Sequence, residues 1–214
     1  MNTTPKVRQR VRIRFGKRGD LRLIGHRDLA RLLERLFRRA GLRLGMSEGF
    51  HPKPRMTFPS ALALGVEGLD EIMELELADM YTAEELLARL TPQRVPGLTF
   101  HAVEVLPPGT QKARLRGLTY EIPLPTERRA ETARRADRIM ASHAFPIRRP
   151  NRNRPLDLRQ SLEALALEGD VLSMRFRVLS QASAGPRDVL GALGLEDLES
   201  RGTPLTRTAV EVET

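Results

Sequence analysis

The chain contains no cysteine and no tryptophan, and its aromatic residues make up only 4% of 214. Without cysteine there is no disulfide, no cysteine-ligated zinc and no cysteine-ligated iron–sulfur cluster within this chain, so a cofactor of that kind would belong to a partner. Scarce aromatics leave Leu, Val, Ile and Ala to fill the interior. No apolar run approaches the roughly 18 residues that a membrane span requires. The opening "MNTTPKVRQRVRIRF" lacks the apolar stretch of a signal peptide, so a cytoplasmic protein without membrane contact is expected. Long acidic or Ser/Gly tracts are also missing. With a hydrophobic fraction of 40%, this implies a globular protein of one large domain or two small ones.

What is present in excess is arginine, which supplies 32 of the 36 basic residues. The net charge of +9 is unevenly spread: residues 1–60 hold 16 Lys/Arg against 4 Asp/Glu, whereas residues 61–105 hold 2 against 9. A preference for arginine codons explains the Arg/Lys ratio but not the shortage of acids at the front. Such a field attracts polyanions, with nucleic acid the leading candidate and an acidic protein surface the second.

Apolar Val7, Val11, Ile13 and Phe15 alternate with Arg8, Arg10, Arg12 and Arg14, the period of a half-buried strand with an arginine row on its other face. "GKRGD" turns the chain and "LRLIG" ends a short strand or extended segment before the first helix. From Asp28 to Ala40, Leu29, Leu32, Leu33, Leu36, Phe37 and Ala40 recur at helical spacing, and Gly41 is the natural stop. "RMTFPSALALGV" and "DEIMELELA", joined by "EGLD", read as a hairpin or as paired strands. "TAEELLARL" is a helix with a capping box from Thr82 to Glu85, and "LTFHAVEVLP" is a further strand. The order is repeated after a polar segment, Pro107 to Gly117, by "LTYEIPLP", "RRAETARRADRIMAS", "EALALEG", "VLSMRFRVL", "PRDVLGALG" and "TPLTRTAVEVE". The expected fold is α+β: two tandem ferredoxin-like (βαββαβ) units with antiparallel sheets, a basic one over residues 1–108 and a second over 117–214. One continuous α+β sheet is the alternative.

Arg31, Arg35 and Arg38 follow i, i+4, i+7 spacing, so their guanidinium groups form one stripe able to grip successive phosphates. A solvated helix face with a Glu34–Arg38 pair has the same pattern. Near them in sequence stand Arg12, Arg14, Lys17, Arg18 and Arg27. His26 precedes the helix, where main-chain N–H groups favour anions. In "GFHPKPRMTF", Pro52 and Pro54 stiffen the backbone and hold Lys53 extended. Lys53 and Arg55 are then placed to share one side, with His51 at the turn and Phe50 either stacking on a base or packing beneath the loop. His26 and His51, with these cations, also suit metal-independent RNA cleavage, one imidazole removing the 2′-hydroxyl proton. The second half offers "IRRPNRNRPLDLRQSL", in which Arg152 and Arg154 stand among Asn and Pro residues, a loop composition suited to phosphates and base edges or simply to a solvated surface.

The stretches "RIRFGKRGDLRLIGHRDLARLLERLFRRAGL", "SEGFHPKPRMTF" with "ALALGVEG", and more loosely "RPNRNRPLDL" and "GPRDVL", resemble the radical-SAM-linked domain. This is an uncharacterised domain fused to, or encoded beside, B12-binding-type radical SAM proteins. The resemblance implies an accessory part whose partner is a radical SAM protein encoded nearby, because radical chemistry needs cluster-holding cysteines and this chain has none. In element order, and in a histidine near the first helix, the chain is also similar to CRISPR repeat-processing endoribonucleases, a likeness of fold rather than activity. Three functions are therefore open. One is a non-catalytic module that binds RNA or another polyanionic substrate, without a cofactor of its own, and presents it to a radical SAM partner, with RNA modification the expected reaction. The second is an endoribonuclease using His26 or His51. The third is a protein-docking domain whose acidic stretch, Glu67 to Asp79, meets a basic partner.

Overall fold

Strand β1, Gln9–Lys17, places Val11, Ile13 and Phe15 on one face, each at most 1% exposed. The computed structural model describes residues 7, 9–149, 155–179 and 183–213. The chain divides into two compact units, one taking the residues to Arg114 and those from Val212, the other Leu115–Glu211.

In the first unit β1 is followed by α1 (His26–Arg39), β2 (Met56–Thr57), β3 (Glu67–Leu77), α2 (Ala83–Leu90) and β4 (Leu98–Leu106). The strands lie in the order β4-β1-β3 with β2 also paired to β3, and every pairing among them is antiparallel. Leu29, Leu33, Leu36 and Phe37 of α1 fall at helical spacing, and with Leu86 and Leu90 of α2 they cover the apolar face made by β1 and by Met73, Leu75 and Leu77 of β3. The capping box at the start of α2 is formed by Thr82 and Glu85.

Two sequence expectations change at this level. "LRLIG" is not a strand: Gly19–Leu23 forms a 3-10 turn, entered through Gly19 at φ 59°. Lys17 closes that turn from within, its ammonium donating to the carbonyl of Ile24 at 3.0 Å and to that of Arg22 at 3.5 Å. Likewise "RMTFPSALALGV" contributes only Met56–Thr57 to the sheet, and "EGLD" belongs to β3 rather than to a connection. The turn falls earlier, at Gly65 with φ 83°, because a positive φ suits glycine and halts the extended chain.

The second unit contains β5 (Arg114–Pro123), α3 (Thr126–Ala141), a short pair β6 (Pro146–Ile147) and β7 (Leu156–Asp157), α4 (Leu158–Ser161), β8 (Leu162–Glu168), β9 (Val171–Arg177), α5 (Pro186–Leu193), α6 (Asp197–Ser200) and β10 (Thr206–Glu213). Its strand order is β10-β5-β9-β8, and β9 is antiparallel to both β5 and β8. Pro at the first turn of α5 and Gly194 at φ 72° after it are the expected start and stop. The protein is thus α+β with antiparallel pairing.

Candidate functional site

The arginine row of β1 faces its own acids. Arg12 lies opposite Glu74 on β3 and Glu104 on β4, and its guanidinium reaches them at 3.0 and 3.3 Å. Arg10 lies 3.7 Å from Glu74 and donates to the Gln111 carbonyl at 2.8 Å. Arg14 is bound by Asp70. Arg12 is 8% exposed and Lys17 1%, so neither offers its charge to a phosphate, contrary to the expectation from alternation. Cross-strand acids hold Arg12 instead, as opposite charges on facing strands do, and the carbonyls of Ile24 and Arg22 hold Lys17. The same contacts alter the reading of Glu67 to Asp79 as a docking surface. Glu74 meets Arg10 and Arg12, Asp70 meets Arg14, Glu76 meets Arg55 and Asp79 meets Arg43. The basic front of the sequence folds onto the acidic stretch that follows it.

The outer face of α1 differs. Arg27, Arg31 and Arg35 are exposed and spaced by four residues, hence about 6 Å apart along one side of the helix. Arg31 lies 3.6 Å from Asp28, but both side chains are more than 60% exposed, and such a pair is screened and worth little. Arg38 is held at 3.0 Å by Glu34 and Arg39 donates to the Gln93 amide oxygen at 2.6 Å. Among the described residues the guanidinium groups of Arg27 and Arg35 have no ion-pair or hydrogen-bond partner. Arg18 is exposed in the turn after β1, fixed through its backbone N–H to the Gly97 carbonyl at 2.8 Å.

His26 is the first residue of α1 and lies edge-on to Phe58, ring centroids 4.8 Å apart. Phe58 in turn lies 6.5 Å from Phe15 of the core. This contact carries the last residue of the "GFHPKPRMTF" motif to the start of the arginine helix.

The rest of the motif is a loop drawn shut at its neck. Gly45 donates to the Glu76 carbonyl at 2.7 Å, Glu76 to that of Arg55 at 3.0 Å, and Arg55 back to that of Gly45 at 2.9 Å. One step further out Met46 bridges Pro54. Ser47 and Lys53 then bond twice: the Ser47 N–H to the Lys53 carbonyl at 2.8 Å, and the Lys53 N–H to the Ser47 hydroxyl at 2.9 Å. Glu48 to Lys53 are exposed, Gly49 takes φ 115°, and the Phe50 side chain is 103% exposed. Phe50 therefore does not pack beneath the loop. Arg55 sits at the neck, where its guanidinium is already engaged by the Met46 carbonyl and Glu76.

The neck requires glycine at 45. A Cβ there would meet Val7 Cγ2 at 2.9 Å and the Cβ and carbonyl oxygen of Glu76 at 3.1 Å. Gly45→Ala is expected to cost about 1–3 kcal/mol by overpacking and to appear as a lowered Tm. Sequence reasoning missed Gly45 and the Ser47 latch, and the available signal was modest: small residues just ahead of a doubly proline-stiffened segment.

In the second unit, β6 and β7 bracket the "RRPNRNRP" segment. Arg149 is anchored by Asp188, which raises the guanidinium's pKa against the opposing effect of burial. Arg159 donates to the carbonyls of Ser142 and Leu162 at 3.2 and 2.8 Å. Arg148 is exposed. Arg152 and Arg154, candidates from the sequence, lie outside the described residues. Among the described residues no group of three or more His, Asp or Glu side chains is arranged to hold a metal ion, and no helix is long and apolar enough to cross a membrane.

Two units of antiparallel sheet and helix, the first displaying an arginine-faced helix and a closed loop, define an α+β protein with a cationic face on α1. The family follows from the sequence itself: residues 10–187 match the model of a family described as an uncharacterized protein conserved in bacteria (DUF2344), and the chain belongs to that family. No curated protein matches it.

Proposed function

We propose that the chain is a non-catalytic RNA-binding module that presents its substrate to a partner radical SAM enzyme acting in RNA modification. The observation that carries the binding half is α1, whose Arg27 and Arg35 have exposed guanidinium groups uncommitted among the described residues. A polyanion satisfies such groups without breaking an existing pair, whereas Arg12, Arg14 and Lys17 would first have to leave partners. The interface is accordingly Arg18, Arg27, Arg31, Arg35, His51 and Lys53, with Phe50 at the loop tip. The partner half rests on the resemblance of the β1–α1 and loop motifs to the radical-SAM-linked domain, and the cytoplasm is the compartment consistent with that chemistry. In each unit the strands of a βαββαβ succession lie in the order fourth, first, third, second, which supports the finer reading of tandem ferredoxin-like units.

Affinity for a structured RNA measured across a salt series tests this function. Replacing Arg27, Arg31 and Arg35 together with alanine should reduce the magnitude of the log K against log salt slope by about 2, three lost contacts at roughly 0.7 each on the single-stranded part of that RNA. No binding even at low salt, or affinity insensitive to salt, refutes the proposal. Chelator-resistant cleavage of the RNA, abolished in His26→Ala or His51→Ala, would instead establish an endoribonuclease.

A further inference from the structure

We propose that the closed loop captures an unpaired base, with Phe50 as the stacking platform, so that the RNA this module takes is one with a single-stranded loop, bulge or end. The inference rests on the RNA-binding function and adds the substrate class. An aromatic side chain normally withdraws about 150–250 Å² of surface from water, and the other six phenylalanines of this chain are buried or half-buried. Phe50 alone stands free at 103% exposure.

Its exposure is not that of a loose strand end. The two bonds between Ser47 and Lys53, the Met46–Pro54 bridge and the three-way backbone contact of Gly45, Arg55 and Glu76 hold the base of the loop. Pro52 and Pro54 fix φ at two positions. Closure at the base of the loop leaves its backbone less freedom to lose when a planar group settles on the ring. Its neighbours decide which planar group. Glu48, Gly49, His51, Pro52 and Lys53 are exposed, and charged residues such as Glu48 and Lys53 are depleted around the aromatic core of a protein interface. Lys53 supplies a cation for the flanking phosphate, and the arginines of α1 recur at about one helical turn, suited to one strand's backbone. Inside a duplex both faces of every base are already stacked. Only an unpaired base offers a face to Phe50.

The test uses two RNAs of equal length, each carrying one 2-aminopurine: a hairpin with the fluorophore in its loop, and a fully paired duplex with it inside the stem. The hairpin should bind on the order of tenfold tighter, with a change of fluorescence that the duplex does not show. Phe50→Ala should lose that preference and the fluorescence change while keeping the salt slope, since stacking releases no counterions. Phe50→Trp should restore both. Because the ring protrudes from the fold, the Tm of Phe50→Ala should equal that of the parent. Equal affinity for hairpin and duplex, or a Phe50→Ala variant that binds the hairpin as the parent does, overturns base capture and leaves RNA binding itself standing. Failure of both RNAs to bind overturns both. Loss of a co-purifying protein in Phe50→Ala, with RNA affinity unchanged, would make the loop a protein anchor and overturn the inference.

Discussion

Glu74→Ala should destabilise the first unit by about 3–5 kcal/mol, the scale on which a buried ion pair fails when one partner is removed. Glu74 is 3% exposed, and its carboxylate serves the Arg12 guanidinium at 3.0 Å, the Ala113 N–H at 3.2 Å and Arg10 at 3.7 Å. Alanine leaves Arg12 buried, with only the 60% exposed Glu104 at 3.3 Å, a contact open to screening. The Arg12 Nε already has no hydrogen-bond partner among the described residues, so the guanidinium has little in reserve. Against a total stability of about 5–15 kcal/mol for a typical domain, the loss should show as a large fall in the denaturant midpoint. A double variant, Arg12→Met with Glu74→Met, separates pairing from packing: it should recover most of the loss, because an apolar pair of similar volume replaces a buried ion pair at little cost. A Glu74→Ala stability within about 1 kcal/mol of the parent would mean that Arg12 reaches water once released, and would refute the dependence of this strand face on its ion pairs.

Gly97→Ala should be comparably damaging for a reason of backbone shape. Gly97 has φ 80°, its carbonyl accepts the Arg18 N–H at 2.8 Å, and a Cβ at this position would overlap the Arg18 carbonyl oxygen and approach Leu21 Cβ to 3.1 Å. The left-handed conformation alone costs an L-residue about 1–2 kcal/mol. The obstructing atom is main chain, which cannot rotate aside, so a total on the order of 3 kcal/mol is expected. Gly109→Ala is the control, since Gly109 also has positive φ, at 84°, but nothing within 4 Å of its would-be Cβ. It should show the conformational cost without the clash. Equal Tm losses in the two variants would sink the argument.

Periodicity makes the helices and most strands legible. The apolar stripe of α1, the Thr82–Glu85 box and the Gly-Asp turn between β8 and β9 are each decided by residues close in sequence. The segments that sequence reasoning misreads depend on what their side chains reach after folding. "LRLIG" turns because Lys17 meets the carbonyls of Arg22 and Ile24, and a lysine buried for that purpose has the same letter as one in solvent. For the candidate site the alternation of β1 correctly sets Arg12 and Arg14 opposite the apolar face, yet alternation is blind to what lies across the sheet. Asp70 is 56 residues from Arg14, and Glu74 and Glu104 are 62 and 92 residues from Arg12, so the free cations could not be told from the committed ones. The loop motif is visible as stiff and basic. That it closes on Ser47 and displays Phe50 depends on backbone bonds that residue types alone do not announce.

The cross-strand ladder of Glu104, Arg12 and Glu74 also constrains how this family can diverge. A drift mutation at 12 or 74 strands a buried charge in the sheet, so lineages should change those two together, by exchanging signs or by becoming apolar in concert, whereas exposed Glu104 is freer to vary. Positions 27, 31 and 35 are under a looser rule: a basic residue lost at one can be regained at another along the same helix face. Across diverged relatives, then, columns 12 and 74 should covary strongly and column 104 weakly, whereas the arginines of α1 should keep their summed charge while shifting place.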